Sequence, residues 1–297
     1  MRYFTDVPED TVSLFNRTPY GFTHSLSGLA LFDFEALCEL ALEYDDHYYI
    51  AGGAATPGDP FCSVRSIKHA PYEALLRLDL ESQRVLLKRP EQYDERYRDL
   101  MLELFDQIVL QRGGLKGARV VRLDSSVLVS SAATMTPFHF DPEVTFFFQI
   151  YGEKSYHLYS PTVLSEPELE SLYRMGTVNI GQVDFEGRDP AREYVFELAA
   201  GKGFHQPQDS PHWVQTRGSR SISYAISFET EASRELGRTR AFNYYQRKLG
   251  MRPAPPGARP SRDAAKAVVM QAAVPLRRRI AEAARKLRGS PWRRSRS

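Results

Sequence analysis

The stretch from residue 118 to residue 230 constrains the fold of this chain most strongly. It contains short segments rich in β-branched and aromatic residues, which Gly, Pro, Ser and Asp separate. Such segments favour strands, and many short strands in succession are typical of an all-β barrel or a double-sheet jelly roll. A polar insert at 165–176 interrupts the pattern and starts like a short helix. The predicted strands are 118–131, 144–152, 155–161, 192–200, 212–216 and 221–229.

Helical patterns flank this β core on both sides. Apolar residues at helical spacing predict a helix that Asp33 caps and a longer helix from about Asp94 to Gln111. A helical pattern returns after Thr230. We therefore predict four parts, which are a mostly helical region 1–117 packed on the core, the β core 118–230, a C-terminal helix 231–250, and a basic, partly disordered tail 251–297.

The composition excludes several classes of protein. The chain has 297 residues, 42% of them hydrophobic, which is typical of a folded globular protein. It has no run of 18 apolar residues, and its N-terminus carries acids where a signal peptide is apolar, so we expect neither a membrane span nor secretion. Its two cysteines, Cys38 and Cys62, form no CxxC motif, as suits the cytoplasm. A metal would therefore be held mainly by His and carboxylate side chains.

Charge is distributed unevenly along the chain. The stretch from Met251 to Ser297 has 13 Lys and Arg against two acids, although the net charge of the whole chain is only +2. The tail is therefore basic and the remaining body acidic. The tail could form a basic amphipathic helix, bent at Pro275, for an acidic protein, RNA or a membrane surface. We favour the alternative that it is a solvated extension, which the acidic body could also attract.

Three side chains have the residue types of a metal site. His139 and Asp141 form an H-x-D motif, and residues i and i+2 of a strand point to one face. His212, in the segment PHWV, begins a later predicted strand and could bring a second imidazole to the same point. Two imidazoles and one carboxylate are the facial triad that binds Fe(II) and leaves coordination positions open. An isolated H-x-D motif, however, often arises by chance.

Lys154 and Thr136 could bind an anion beside that metal. Lys154 follows a glycine-containing turn on the strand after VTFFFQIY, and Thr136 lies three residues before His139. An ammonium group inside an apolar barrel is costly unless it meets an anion, and a carboxylate co-substrate would supply one. On spacing alone, a solvent-exposed lysine in a hairpin turn is an equally good interpretation of Lys154.

Taken together, these motifs resemble those of a known enzyme family. The pattern TPFHFD, then QIYGEK, then PHWV is similar to the JmjC/cupin-like Fe(II)- and 2-oxoglutarate-dependent oxygenases. Within that family it looks closest to the branch that includes the factor-inhibiting asparaginyl hydroxylase. The resemblance covers about residues 118–229. It implies a mainly β fold, a double-stranded β-helix of jelly-roll type with helical N- and C-terminal additions.

The resemblance also implies a role for each motif residue. His139, Asp141 and His212 would bind Fe(II), Lys154 would pair with the distal carboxylate of 2-oxoglutarate, and Thr136 would support that carboxylate. With O₂ as the second co-substrate, the family releases succinate and CO₂ and hydroxylates its substrate. A protein or peptide side chain is the substrate that the nearest resemblance favours.

The chain departs from the asparaginyl hydroxylase at two positions. Thr145 and Ser227 stand where that enzyme has asparagines near the co-substrate, and both can still form hydrogen bonds. We therefore keep Thr145 among the co-substrate residues and expect altered substrate placement. The tyrosine that the family places near 2-oxoglutarate is not identifiable among 16 tyrosines. We assign His205 a supporting or loop role, and we leave out Glu143 because Pro142 would break the strand.

Two other functions compete with a protein hydroxylase. One is a small-molecule hydroxylase of biosynthesis, which the fold and the triad do not distinguish from the first. The other is a non-catalytic cupin-like binding protein or regulator, whose basic tail could contact nucleic acid. A homodimer through the C-terminal helices is a further expectation from the family.

Overall fold

The structure, a computed structural model, describes residues 1–60, 70–178 and 180–273. It divides into two compact units. Among the described residues, the first contains 1–164 and 180–230, and the second contains 165–178 and 231–273. Cys62 and the predicted bend at Pro275 lie outside the described residues. None of the helices in the described part of the chain combines the length and the hydropathy needed to cross a bilayer.

Strands and N-terminal helices make up the first unit. Its strands are β1 (Phe4–Asp6), β2 (Tyr20–His24), β3 (Tyr48–Gly52), β4 (Gln83–Lys88), β5 (Val120–Ser130), β6 (Met135–Phe140), β7 (Val144–Tyr159), β8 (Gly181–Gln182), β9 (Glu193–Leu198), β10 (Lys202–Gln206) and β11 (Pro211–Thr230). Its helices are α1 (Thr11–Leu14), α2 (Phe34–Leu42), α3 (Pro71–Leu76) and α4 (Glu95–Gln111). The second unit contains α5 (Glu166–Leu172), α6 (Glu231–Lys248) and a helical segment over 260–273.

Two long strands, β7 and β11, organise the sheet. The strand order is β1-β2-β10-β7-β11-β5-β4-β3, β6 pairs with β11 and β8, and β9 pairs with β7. All of these ladders are antiparallel. The first half of β7 pairs with β10, and its second half pairs with β9. The first half of β11 pairs with β6, and its second half pairs with β5. Each long strand therefore runs through both halves of a double-stranded β-helix.

Each long strand corresponds to two of the predicted strands, and the structure shows a bend where they were expected to separate. Gly152 in β7 has a φ of 71°, and Gly218 in β11 has a φ of 69°. The pairing of β11 with β7 changes register between Arg217 and Ile222, at the same level. A Cβ on Gly152 would overlap with the carbonyl oxygen of Arg220. Only glycine fits here, because the backbone is left-handed and the facing strand is in contact.

Alternation along the strands separates two faces of the sheet. One face carries large apolar side chains, which pack with Leu37 and Leu40 of α2 and Leu104 and Ile108 of α4. The opposite face of the same strands carries mostly small or polar side chains, with a few larger ones such as Leu128 and Phe147, and these line a cavity. The period of two in a strand explains the division. The helix-facing residues include Val127, Val129, Phe146, Phe148, Tyr224, Ile226 and Phe228.

In the second unit, the polar insert of the sequence forms α5. Ser165 and Glu168 make a capping box, in which each side chain bonds the backbone N–H of the other residue. Glu166 of α5 accepts two hydrogen bonds from the guanidinium of Arg240 on α6, at 3.0 and 3.2 Å. This bidentate pair is the stronger form of ion pair, so it fixes α5 on α6.

The N-terminal region differs from the sequence prediction in its strands. Residues 1–117 were expected to be mostly helix and loop, but β1 to β4 also lie there. The predicted helix near Asp94 is present as α4, and the Asp94 carboxylate accepts from the N–H of Arg96 as a cap should. Asp33 takes the N-cap position of α2 without a side-chain hydrogen bond. The expected cap by Asp33 is therefore wrong in its chemistry, although the helix starts where predicted.

Replacing Gly152 by alanine tests the bend in β7. We expect Gly152→Ala to lower the free energy of unfolding by about 3 kcal/mol or more, since a left-handed alanine costs about 1–2 kcal/mol and steric overlap costs more. Gly187→Ala is the matched control, because Gly187 also has a positive φ, of 76°, but nothing lies within 4 Å of its Cβ position. It should cost only about 1 kcal/mol. Urea unfolding measures both losses of stability. An equal loss in the two variants would contradict the close contact between Gly152 and the Arg220 carbonyl.

Candidate metal centre and its cavity

Strand pairing brings the two predicted imidazoles together. His139 of β6 and His212 of β11 are direct partners in the antiparallel ladder, and their ring centroids are 4.2 Å apart. Directly opposed side chains in such a ladder lie on the same face of the sheet. Asp141 follows β6 immediately, so its carboxylate lies on the side of the sheet that carries His139. Two segments more than 70 residues apart in sequence thus contribute to one site.

The donor atoms of these three residues converge. The His139 Nε2 atom is 4.0 Å from Asp141 Oδ1, and the His212 Nε2 atom is 3.7 Å from Asp141 Oδ2. One donor atom from each residue lies within 4.8 Å of the others. Both histidines are buried, and the aspartate is partly exposed. Two nitrogens and one carboxylate oxygen at this spacing can share one divalent ion.

Hydrogen bonds fix the tautomer of each imidazole. His139 Nδ1 lies 2.7 Å from the carbonyl oxygen of Pro137, and His212 Nδ1 lies 3.1 Å from that of Ser210. A carbonyl oxygen only accepts, so each Nδ1 carries the hydrogen and donates it. Each Nε2 is then left with a lone pair directed towards Asp141. This is the arrangement of metal-ligating histidines, so the donor set fits a bound metal.

Burial keeps both imidazoles neutral. Burial lowers the pKa of His139 to about 3, with a further contribution from the neighbouring His212, while Asp141 opposes the shift. Burial also lowers the pKa of His212, again against the opposing charge of Asp141. A metal ion competes with protons for the imidazole lone pair, so neutral histidines are ready to bind it at physiological pH.

Lys154 lies inside the cavity rather than in solvent. Its side chain is 3% exposed, and its Nζ donates to the Ser223 hydroxyl at 3.0 Å. The ammonium also lies 5.6 Å from the centre of the Phe147 ring. Burial, with a smaller contribution from the charge of Arg84, lowers the pKa of Lys154 to about 7. The surrounding groups hold the charged form weakly, so an anion would stabilise it.

The cavity is lined by residues of six strands, β3, β4, β5, β6, β7 and β11, and has a volume of about 240 Å³. That volume equals about eight water molecules in the liquid, enough for a small organic acid. The predicted residues Thr136 and Thr145 line it together with the triad and Lys154. Thr145 Oγ1 and Ser227 Oγ are hydrogen-bonded at 2.8 Å. The two positions that replace asparagines in the resembling family therefore contact each other.

Several cavity residues were missed by the sequence analysis. Tyr49 and Arg84 lie on β3 and β4, in the region that was interpreted as helix and loop. The aromatic and β-branched run around Tyr49 was the signal that could have predicted a strand. Tyr156 stacks on the His212 ring, with centroids 5.0 Å apart, and donates to Gln206 Oε1 at 2.9 Å. It supports the imidazole from the second half of β7.

Glu143 also belongs to the cavity, although Pro142 argued against it. Its carboxylate accepts a hydrogen bond from Arg122 on β5. Arg122 also lies 3.0 Å from Glu229 and 3.5 Å from Asp124. Pro142 does interrupt the strands, since β6 ends at Phe140 and β7 begins at Val144, but this turn still leaves Glu143 on the cavity side.

His205 and His157 lie apart from the triad. His205 is fully buried, and its Nε2 accepts the backbone N–H of Asn16 at 2.8 Å. Its ring stacks on Phe15 and Phe146, with centroids about 5 Å from each, so it anchors the N-terminal segment on the sheet. His157 stacks on the Trp213 ring at 3.7 Å.

Comparison with known proteins identifies the fold. The chain matches no protein-family model and no curated protein. An X-ray structure of YcfD from Escherichia coli is similar, with a TM-score of 0.54 at 16% sequence identity, covering 92% of this chain and 69% of YcfD. A second crystal structure of Escherichia coli YcfD, described as a ribosomal oxygenase, gives a TM-score of 0.50 at 16% identity, over 92% of this chain and 68% of that one. The fold is that of the JmjC-type oxygenases. The JmjC-type jelly roll here carries helical additions before and after the β core, as the sequence predicted.

Removal of a triad residue should abolish metal binding. We expect His212→Ala and Asp141→Ala to weaken Mn(II) binding more than about 100-fold, since loss of a ligand should exceed the 10–100-fold effect of groups that only orient ligands. Isothermal titration calorimetry measures the affinity. His157→Gln is the control, because His157 pairs with Glu193 at 3.1 Å and should leave Mn(II) binding unchanged. If His212→Ala bound Mn(II) as tightly as the wild type, His212 would not be a ligand and the proposed metal site would be wrong.

Proposed function

We propose that this protein is an Fe(II)- and 2-oxoglutarate-dependent oxygenase that hydroxylates a protein or peptide side chain and releases succinate and CO₂. The observation that carries the proposal is the position of the triad and Lys154 in one cavity. A metal site alone would suit many proteins. A buried lysine beside the triad adds the group that a dicarboxylate co-substrate needs.

His139, Asp141 and His212 would hold the iron. Three protein ligands occupy half of an octahedral ion, so they leave positions for co-substrates. Bound iron, with 2-oxoglutarate and O₂, would supply the oxidising chemistry. The chain's own part is to keep both imidazoles neutral and oriented through the carbonyls of Pro137 and Ser210.

Lys154 and Thr136 would bind the distal carboxylate of 2-oxoglutarate. A buried ammonium is unfavourable without a negative partner, and its hydrogen-bond acceptor here is the neutral hydroxyl of Ser223. A carboxylate at this point would replace that weak stabilisation with an ion pair. Ser223 in turn donates to Gln149 Oε1 at 2.9 Å, which holds its hydroxyl in place to accept from Lys154. Thr145 would act nearby through its contact with Ser227.

The choice of a protein or peptide as the primary substrate is more specific than the proposed oxygenase chemistry. It is supported by the sequence resemblance and by the similarity in fold to a ribosomal oxygenase. The narrower assignment to the asparaginyl hydroxylase branch stays a prediction, and so do the cytoplasmic location, a homodimer and an acidic partner of the tail. A small-molecule substrate would use the same triad and lysine.

Succinate formation tests the enzymatic proposal. Wild-type protein with Fe(II), 2-oxoglutarate and O₂ should form succinate, as followed by NMR, and His157→Gln should do the same. Asp141→Ala should form none above background, because the metal loses the carboxylate ligand of the triad. A peptide digest of cell extract should contain a peptide that gains one oxygen atom with the wild type only. Equal succinate from the wild type and Asp141→Ala would contradict the proposal.

The pH dependence of 2-oxoglutarate binding tests the role of Lys154. Among the described residues, Arg84 is the charged group that acts on this lysine, and the groups in contact with it, Ser223 and Phe147, are neutral. Because the pKa of Lys154 is about 7, the lysine is already charged at pH 6 and must take up a proton at pH 8. Affinity should therefore be constant below pH 7 and fall about tenfold per pH unit above it.

Calorimetry of the Mn(II)-loaded protein in two buffers with different ionisation enthalpies measures this proton uptake. We expect close to one proton per 2-oxoglutarate at pH 8 and almost none at pH 6. Lys154→Arg is the matched variant, because a guanidinium stays charged across this range and should remove the pH dependence. Unchanged proton uptake in Lys154→Arg would show that another group titrates.

A further inference from the structure

The segment 206–210, which leads from the last residue of β10 to the start of β11, contacts two of the three proposed metal ligands. The backbone N–H of Asp209 donates to the carbonyl oxygen of Asp141 at 3.1 Å. The carbonyl oxygen of Ser210 accepts from His212 Nδ1 at 3.1 Å. The placement of one ligand and the tautomer of another therefore depend on the conformation of this segment.

The first residue of the segment supports the same imidazole through Tyr156. The Tyr156 ring stacks on the ring of His212, and its hydroxyl donates to Gln206 Oε1 at 2.9 Å. Gln206 is 1% exposed, so water does not compete for this hydrogen bond. The segment thus acts on His212 at both of its ends, on the face of the ring through Gln206 and on Nδ1 through Ser210.

A turn near the N-terminus holds this segment from outside the cavity. The side-chain Oδ1 of Asn16 accepts the backbone N–H of Gln208 at 2.7 Å. The backbone N–H of Asn16 donates to Nε2 of His205, the residue before the segment, at 2.8 Å. Phe15 stacks on the His205 ring, with centroids 5.0 Å apart. The two partners of Asn16 follow it by 189 and 192 residues, so these contacts join distant parts of the chain.

Both sides of this contact have left-handed backbone. Asn16 has a φ of 56°, and Asp209 has a φ of 60°. Asn and Asp adopt this conformation more readily than other residues with a Cβ, but it still costs about 1–2 kcal/mol. Such residues persist where surrounding contacts hold them, and they cluster at functional sites. Here each one makes a hydrogen bond of the segment, Asn16 to Gln208 and Asp209 to Asp141.

His205 extends the contact to the strand that carries Thr145. Because its Nε2 accepts from Asn16, its Nδ1 carries the hydrogen and donates to the carbonyl oxygen of Thr145 at 3.5 Å. The imidazole is fully buried between Phe15 and Phe146. The turn at Asn16 is therefore connected both to the segment 206–210 and to β7.

We propose that Asn16 is a positioning residue of the metal centre, whose side chain holds the segment 206–210 in the conformation that orients His212 and Asp141 for iron. This inference rests on the proposed function, because it takes these two residues as iron ligands. Ser210 lies two residues after Gln208, so a shift of Gln208 displaces the carbonyl that fixes the His212 tautomer. Residues 1–48 supply none of the described residues that line the cavity, yet this segment of the chain would set the affinity for the metal.

Three variants separate the side-chain contact from general stability. Asn16→Gly keeps the left-handed turn and its N–H but removes the acceptor oxygen. Asn16→Asp keeps an acceptor oxygen and also tolerates the left-handed backbone. Thr11→Val is the matched control, because Thr11 is a buried residue of α1 whose hydroxyl donates at 3.0 Å to the carbonyl of Gln111 on α4 rather than to the segment 206–210.

Metal affinity and metal geometry are measured separately. Calorimetry gives the affinity for Mn(II), and the visible spectrum of the Co(II)-saturated protein reports the geometry of the ligands. We expect Asn16→Gly to bind Mn(II) about tenfold more weakly, the lower end of the range for groups that orient metal ligands, and to change the Co(II) spectrum. Asn16→Asp should recover most of the affinity and the wild-type spectrum. Thr11→Val should lower the unfolding temperature but leave the affinity and the spectrum unchanged.

Each failure has a distinct meaning. If Asn16→Gly keeps the wild-type affinity and spectrum, Asn16 has a structural role only, and the inference is overturned while the proposed function stands. Equal weakening in Thr11→Val would assign the effect to the stability of the N-terminal segment, and no recovery in Asn16→Asp would exclude the acceptor oxygen; either result overturns the inference. If the wild type binds no Mn(II), the proposed function fails and the inference fails with it. Thermal unfolding verifies that each variant is folded.

Discussion

The pairing of β6 with β11 is the constraint on which the site depends. It places His139 directly opposite His212, and the carbonyls of Pro137 and Ser210, each two residues before a histidine, fix the two rings in the same way. Each imidazole is thus oriented by a carbonyl of its own chain segment. Asp141 is the first residue after β6, so the same strand positions both Asp141 and His139. A shift of one residue in this register would send one imidazole to the opposite face of the sheet.

Side chains alternate between the two faces of the sheet, so one face builds the hydrophobic core and the other lines the cavity. Phe146, Phe148, Tyr224 and Ile226 face the helices and build the core. Their neighbours along the strands face the cavity, and apart from Phe147 they are small or polar, which leaves room for ligands. Lys154 can be buried there because the bend at Gly152 redirects β7 from one half of the jelly roll to the other. Core packing on one face thus stabilises the strands that position the candidate metal ligands and Lys154 on the other face.

Much of this arrangement could be predicted from local patterns. The β core, the helix α4 and the meeting of His139, Asp141 and His212 follow from strand composition, helical spacing and motif resemblance. Strands β3 and β4 were missed because they are short and lie among helices, where local pattern is weak. Glu143 was left out because Pro142 does end a strand, and sequence does not reveal where the chain points after the turn. Arg84 could not be assigned, since its place depends on the register between β4 and β5, which are separated by more than 30 residues.

The central claim is that one divalent ion lies between His139, Asp141 and His212, with a dicarboxylate running from it to Lys154. A crystal structure of the protein soaked with Mn(II) and 2-oxoglutarate tests this most directly. We predict one strong anomalous peak within bonding distance of the two Nε2 atoms and the Asp141 carboxylate, and density for 2-oxoglutarate that ends at Lys154 Nζ. An ordered triad without an anomalous peak, or 2-oxoglutarate bound away from Lys154, would contradict the account.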